Sequence, residues 1–231
     1  MINILKEKPS DKIFGRLLEA DRFVENVDIK NKTILDIGCG FGWFEVSAIK
    51  RGVKKVVGIE HTKEDLATAK KGIKSKKIDF RIASAVKLPF EDKSFDTAVC
   101  FEVIEHIPEN TENKMFAEIN RVLKKNGVLY LSTPFNAIFA RMFDPAWWLI
   151  GHRHYSNDSL RDYGIKNGFK VLRVYVKGGW WSIISSLNMF GSKWILRRKR
   201  LAENLFMEKE NHEYKNKSGF VNIFIKYKKL K

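Results

Sequence analysis

Short apolar runs alternate with amphipathic stretches along most of the chain, and the alternation has the rhythm of strands and helices taking turns. Thr33–Ile37, Lys55–Glu60, residues 79–83, Phe95–Phe101 and Val128–Thr133 read as buried strands. Between them, Trp43–Lys50 closed by Gly52, Lys63–Lys71 after a Thr62 cap, and Thr111–Leu123 read as helices. In the last of these Met115, Phe116, Ile119, Val122 and Leu123 share one face. Residues 1–27 predict a helical lead-in, with Ile13, Leu17, Leu18 and Phe23 near helical spacing. Residues 125–127 (Lys-Asn-Gly) predict a turn. Beyond Pro134 the character changes. Residues 135–151 are aromatic without clean periodicity, Ser156 caps a helix that Gly168 closes, and Lys170–Val176 and Phe220–Tyr227 are two further strands. About forty residues separate those last two strands, far more than an ordinary connection.

Strands and helices in this order predict an α/β fold, a parallel sheet with helices on both faces. Ligands of such sheets lie beyond the carboxyl ends of the strands, where Asp36–Gly42, Glu60, Ser84, Glu102 and Pro134 all fall. Composition adds little until charge is considered. An apolar fraction of 44% is ordinary for a globular chain, and 231 residues suit one domain spanning 1–231. The polar Met1–Lys12 lacks a signal-peptide core, and no apolar run approaches the ~18–20 residues of a membrane span. Two cysteines, Cys39 and Cys100, make a disulfide framework improbable and fit a reducing cytoplasm. The net charge is +16, of which residues 151–231 carry +12 through 18 Lys and Arg against 6 Asp and Glu. That asymmetry points to a polyanionic partner, either nucleic acid or an anionic membrane surface.

The chemistry starts at Asp36-Ile37-Gly38-Cys39-Gly40-Phe41-Gly42. A strand that stops in alternate glycines and runs into a helix brings a ligand against bare backbone N–H groups. A dinucleotide fingerprint needs Gly-x-Gly-x-x-Gly, but Trp43 stands at its third glycine. With Asp36 two positions before Gly38, and Glu60 closing the second strand to accept two ribose hydroxyls, the pattern resembles class I methyltransferases. More narrowly, it is similar to the small-molecule type 11 and ubiquinone-biosynthesis kind. Phe95–Pro108 and residues 125–134 resemble the next two blocks of that family, so the likeness covers about residues 30–135 well.

The resemblance implies a Rossmann-like seven-stranded sheet with its last strand antiparallel, and S-adenosylmethionine (SAM) as cofactor. The residues it places around SAM are Asp36, Gly38, Cys39, Gly40, Phe41, Glu60, Ser84, Ala85, Phe101 and Glu102. Asp36 suits the cofactor's ammonium, and the turn's backbone amides suit its carboxylate. The chain departs from the family at Ser84, where an Asp is common. Segments 135–155 and 178–219 are expected to cap the acceptor with Phe135, Trp147, Trp148, Tyr155, Trp180 and Trp181. Methylation of an oxygen needs a base, and His154, with His152 second, is the candidate. Glu105-His106 could ligate a metal, but two adjacent residues make no full site, so none is expected.

In 180–200, Trp180, Ile183, Ile184, Leu187, Phe190, Trp194 and Ile195 take helical spacing opposite Ser182, Ser185, Ser186, Ser192 and Lys193, ahead of residues 197–200 (Arg-Arg-Lys-Arg). Such a helix suits either an anionic membrane surface or a lid packed on its own core. The expectation is a cytoplasmic SAM-dependent methyltransferase, peripheral at the inner membrane face, with a small apolar or lipid-like acceptor. The alternatives are RNA methylation and a non-catalytic SAM-binding interaction protein. Against RNA, the chain has no appended RNA-binding module and its basic run adjoins an apolar helix rather than isolated stacking aromatics.

Overall fold

The computed structural model describes residues 9–10 and 12–231. The start of the lead-in expected over 1–30 lies outside these. Its described part is helix α1 (Gly15–Phe23). The chain then alternates β1 (Thr33–Ile37), α2 (Trp43–Lys50), β2 (Lys55–Glu60), α3 (Lys63–Gly72), β3 (Ile78–Ile82), β4 (Phe95–Phe101), α4 (Glu112–Val122) and β5 (Leu123–Pro134). Two short helices follow, α5 (Ile138–Met142) and α6 (Pro145–Ile150), then α7 (Asn157–Lys166), β6 (Phe169–Lys177), α8 (Trp180–Phe190), α9 (Glu203–Glu213) and β7 (Asn222–Lys229).

The seven strands form one sheet in the order β3-β2-β1-β4-β5-β7-β6. β7 runs antiparallel to both neighbours and the other pairings are parallel. This is the Rossmann-like arrangement expected. Both faces of the central strands are apolar because both are covered. Leu35, Ile37, Ala98 and Cys100 face Met115, Phe116, Ile119 and Val122 of α4. Ile34, Val56, Val99 and Tyr130 face Ala20 and Phe23 of α1 and Phe44 and Ala48 of α2. Phe23 stands edge-on to Tyr130 at 5.1 Å, which ties α1 to the sheet.

Two local readings change. The turn expected at 125–127 lies inside β5, which begins directly after α4. Asn126 takes φ 63° and the β4–β5 register slips between Phe95 and Thr97, so the turn signal marks a bulge. The aperiodic segment 135–151 resolves into α5 and α6 because Asp144 caps α6 by accepting from the Ala146 amide, with Pro145 at its first position and Gly151 closing it at φ 69°.

In α8 the serine face, rather than the whole apolar face, is the one turned to the protein. Its serine face points inward, with Ser182, Ser185 and Ser192 buried and Ser185 only 1% exposed. Glu213 of α9 accepts from the amides of Gly179, Trp181 and Ser182 and from the Ser182 hydroxyl, so it caps α8 across the insertion. Most of the apolar face points out, while Ile183 is buried. Trp194 is 56% and Ile195 81% exposed, in a π-helical turn (Gly191–Ile195) that prolongs α8. Phe139 of α5 meets Trp180 of α8 at 5.4 Å, so the exposed Ile138, Met142, Trp148 and Leu149 adjoin the same surface. Among the described residues no helix is long and apolar enough to cross a membrane.

Candidate functional site

The glycine turn leaves β1 with Gly38, Gly40 and Gly42 all at positive φ (75°, 51° and 85°). A Cβ at Gly38 would strike Val103 at 2.2 Å and one at Gly42 would strike Ile73 at 2.6 Å, whereas one at Gly40 would meet nothing within 4 Å. Gly40 is thus the open point of the turn, where a ligand can approach the backbone. The Gly38 and Cys39 amides both donate to the Ile59 carbonyl, and the Gly40 amide donates to Glu60 Oε2 at 3.1 Å. Glu60 also accepts from the His61 amide at 2.7 Å. Its carboxylate is held at the end of β2 beside the turn, with lone pairs still available to hydroxyl donors.

The other cofactor candidates divide. The Cys39 side chain is buried among Leu66, Ala69, Ile73 and Phe80, and the Phe101 ring packs on Trp43 and Phe44, so both side chains serve the core. Ser84 accepts from the Val86 amide and shapes the tight turn that carries Ala85. Glu102 sits at φ 57°, strained for a residue with a side chain, and is fixed by donors from three elements: Ser132 on β5, Asn222 on β7 and Arg16 on α1. Phe41 lines a cavity of about 400 Å³ together with Trp43, Arg16, Tyr214 and Asn222.

A second cavity, of about 320 Å³, adjoins the first. Arg16, Ser186, Met189, Val221 and Asn222 line both. Its walls are apolar on the cap side (Ala140, Phe143, Ile150, Ile183, Phe190, Trp194) and carry Glu105, His106, Asp144, His152 and His154 on the sheet side. None of Phe135, Trp147, Trp148, Tyr155, Trp180 and Trp181, the expected acceptor contacts, lines either cavity. Tyr155 is core, its hydroxyl donating to the Ile104 carbonyl and Glu112, while Phe135 packs against that core. Trp147 and Trp148 meet edge to face, Trp180 packs on Phe139, Phe143 and Phe220, and Trp181 packs on Phe206.

The two histidines separate by their partners. His154 has its Nδ1 3.1 Å from the Phe135 carbonyl and its Nε2 2.9 Å from Asp144, so no lone pair remains for a substrate proton. The slight preference for His154 therefore reverses. His152 is oriented through Nδ1 by Asp144 at 2.8 Å, and its Nε2 faces Glu105 Oε1 at 3.7 Å, outside hydrogen-bond reach. Burial opposes the charge on Asp144, but hydrogen bonds from His152 and His154 hold its carboxyl below the ordinary range. Burial, and then the charge of Glu102, push the Glu105 carboxyl well above its usual range. Its Oε2 accepts from Thr133, while Oε1 is buried with no partner. Loss of solvent around the ring, with His152 alongside at a centroid distance of 4.7 Å, lowers His106 to about 4.

Glu105, His106 and His152 bring one ligand atom each within 4.8 Å of one another, as do Asp144, His152 and His154. The partner histidine not evident beside Glu105-His106 in the sequence is thus His152. This N/O donor set suits a divalent cation. Arg16 and Asp144 escaped notice in the sequence. The Asp144-Pro145 pair was the one available signal, an N-cap followed by proline.

Residues 35–131 match the model of a methyltransferase domain. Over these residues, less than half of its length, the chain is similar to methyltransferase domains. It is 36% identical over 107 residues to a ubiquinone biosynthesis O-methyltransferase of Pelagibacter ubique, a match covering 46% of this chain and 43% of that protein. The matched part spans half or less of the length of the curated relatives. Its fold is similar to an S-adenosylmethionine dependent methyltransferase from Mesorhizobium loti (TM-score 0.63, 16% identity, 92% of this chain and 96% of that one). It is also similar to a geranyl diphosphate C-methyltransferase from Streptomyces coelicolor, solved with Mg²⁺, geranyl diphosphate and S-adenosylhomocysteine (TM-score 0.67, 14% identity, 93% and 78%). The open Gly40 and the positioned Glu60 fit a SAM-type cofactor, while of the expected cofactor residues Phe41 lines the first cavity and Glu102 the second.

Proposed function

We propose that this protein transfers a methyl group from SAM to an oxygen of a small apolar or lipid-like acceptor taken from a membrane surface. The observation that carries the reading is the shared wall of the two cavities. A polar chamber that the glycine turn reaches through Phe41 opens at Arg16 and Asn222 into an apolar chamber that holds His152. Asp36, Gly38, Gly40 and Glu60 would hold SAM. The Gly38 and Cys39 amides are already satisfied by Ile59, so Arg16 is the cation suited to the cofactor's carboxylate.

SAM supplies the electrophilic methyl group. Once bound, it would offer that methyl carbon to the acceptor oxygen, and His152 Nε2 would take the acceptor's hydroxyl proton. Asp144 holds His152 in the required tautomer. Strained Glu102 keeps Arg16 and Asn222 together at the junction.

The exposed faces of α5, α6 and α8, with residues 193 and 197–200 at their edge, suit an anionic bilayer that would deliver the acceptor. A second reading of the base rests on the unpartnered Glu105 Oε1. Glu105, His106 and His152 would hold a divalent cation whose charge stabilises the acceptor's oxyanion. The Mg²⁺ of the geranyl diphosphate enzyme supports it, as its isoprenoid supports the acceptor class.

The test is transfer from methyl-labelled SAM to a hydroxylated isoprenoid in detergent and to bulk RNA in parallel. Label in the isoprenoid is expected, and label in the RNA alone would overturn the reading. Chelation followed by addition of Mg²⁺ separates the two forms of the base.

A further inference from the structure

Beneath the glycine turn lies a pair of acids that the transfer step does not use. Glu45, in the first turn of α2, is fully buried, and Asp36 at the end of β1 is 3% exposed. Gly58 makes the space, since a Cβ there would lie 2.5 Å from Glu45 Oε1. Neither Glu45 oxygen has a hydrogen-bond partner among the described residues, and Asp36 is the register partner of Gly58 on β1, so its carboxyl stands beside that of Glu45. Two carboxylates cannot donate to each other, so the contact requires a proton between them.

The groups that bear on the pair from the packed elements are Glu60 of β2 and the Cys39 thiol of the turn. No cation is among them. The α2 N-terminus favours an acid, but that effect is small beside the cost of burying a charge. Burial, and the charge of Glu60, push Asp36 up to about 8, and burial with Asp36 pushes Glu45 well above the carboxylate range.

SAM carries an ammonium and a sulfonium, and on the proposed reading the ammonium arrives at Asp36. We propose that Asp36 and Glu45 are a proton-sharing pair that releases its proton to solvent when SAM binds, with Glu45 a positioning residue that couples cofactor charge to protonation through Asp36. The proton leaves to the buffer, and the cofactor's positive charge takes its place beside the two acids. The coupling rests on the assignment of Asp36 to the cofactor site. By linkage, affinity rises with pH wherever binding releases protons.

The test is calorimetric titration of SAM into the full chain at pH 6.5–7.2, below the ~7.7–8.0 range where the cofactor's own α-amino group titrates. Buffers of different ionisation enthalpy report the proton count. Wild type is expected to release about one proton, with Kd falling up to about tenfold per pH unit. Glu45→Gln is expected to bind SAM with no release and a flat pH profile, because an amide donates to Asp36 and does not titrate. Release unchanged in Glu45→Gln, or SAM binding by wild type without release, would overturn the pairing while leaving the cofactor site standing. No SAM binding by wild type would overturn the site and the coupling together. Should Glu45→Gln fail to fold, the infrared difference spectrum of wild type serves. A protonated-carboxyl band is expected to disappear when SAM is added, and its persistence would contradict the proposal.

Discussion

The cofactor half and the cap bury opposite things. Around the glycine turn, acids are taken out of water without any cation to meet them. Asp36 and Glu45 touch, and Glu60 is held by backbone amides alone. In the cap, serines and glutamates are buried against one another while tryptophans, isoleucines and leucines face outward. A buried acid pair is costly, and so is an exposed apolar face. Each is explained by something that arrives from outside: a cationic cofactor in the first case, an apolar surface and acceptor in the second. The two cavities that meet at Arg16 join these halves.

The sharpest way to separate the halves is to remove one chemical group from each. His152→Ala is expected to lower kcat about 10³-fold while leaving the SAM Kd unchanged, in single-turnover and titration measurements. A matching loss of SAM affinity would put His152 on the wrong side of the comparison. Glu60→Ala should do the reverse, raising the SAM Kd about 100-fold through loss of two charge-assisted hydrogen bonds. Unaltered affinity would remove Glu60 from the site.

The outward face of the cap gives a smaller effect. Trp194→Ser with Ile195→Ser should weaken binding to anionic vesicles about tenfold or more, a partial loss of two apolar side chains from the interface. SAM affinity should not change. Flotation indistinguishable from wild type would leave the exposed face without its proposed partner.

The smallest expected effect is on stability. Asp36 is raised from the ordinary carboxylate range to about 8, so the folded chain holds a proton that the unfolded chain releases. Its contribution is fullest below about pH 4 and falls as pH rises towards 8. Glu45→Gln removes the need to take up that proton on folding and should raise the Tm of the SAM-free protein by a few degrees at pH 7.5, and by little at pH 4.5. A gain at both pH values would point to packing rather than charge.

How far each half could be read from the chain follows the same division. The turn is local. Asp36, three glycines and Glu60 lie within 25 residues, and their conformations are set by neighbours in sequence, so the strands and the turn could be argued from residues, and the cofactor from the resemblance those residues carry. The cap is tertiary. Helical spacing divided α8 into serine and apolar faces correctly, but which face turns inward is decided by Glu210 and Glu213, some thirty residues away on α9. The acceptor residues failed for a related reason. Tryptophans mark an aromatic region without saying which rings look inward, and the cavity takes Ala140, Phe143, Phe190 and Trp194 instead. His152 and His154 were found as a pair, yet their order depended on Asp144, whose role no spacing announces.

The most direct test of the join between the halves is a crystal structure with S-adenosylhomocysteine. The account predicts its ammonium beside Asp36, its ribose hydroxyls on Glu60, and its sulfur directed through the Arg16–Asn222 opening towards His152. A sulfur facing away from the chamber that contains His152, or a chamber closed off from the cofactor, would contradict it.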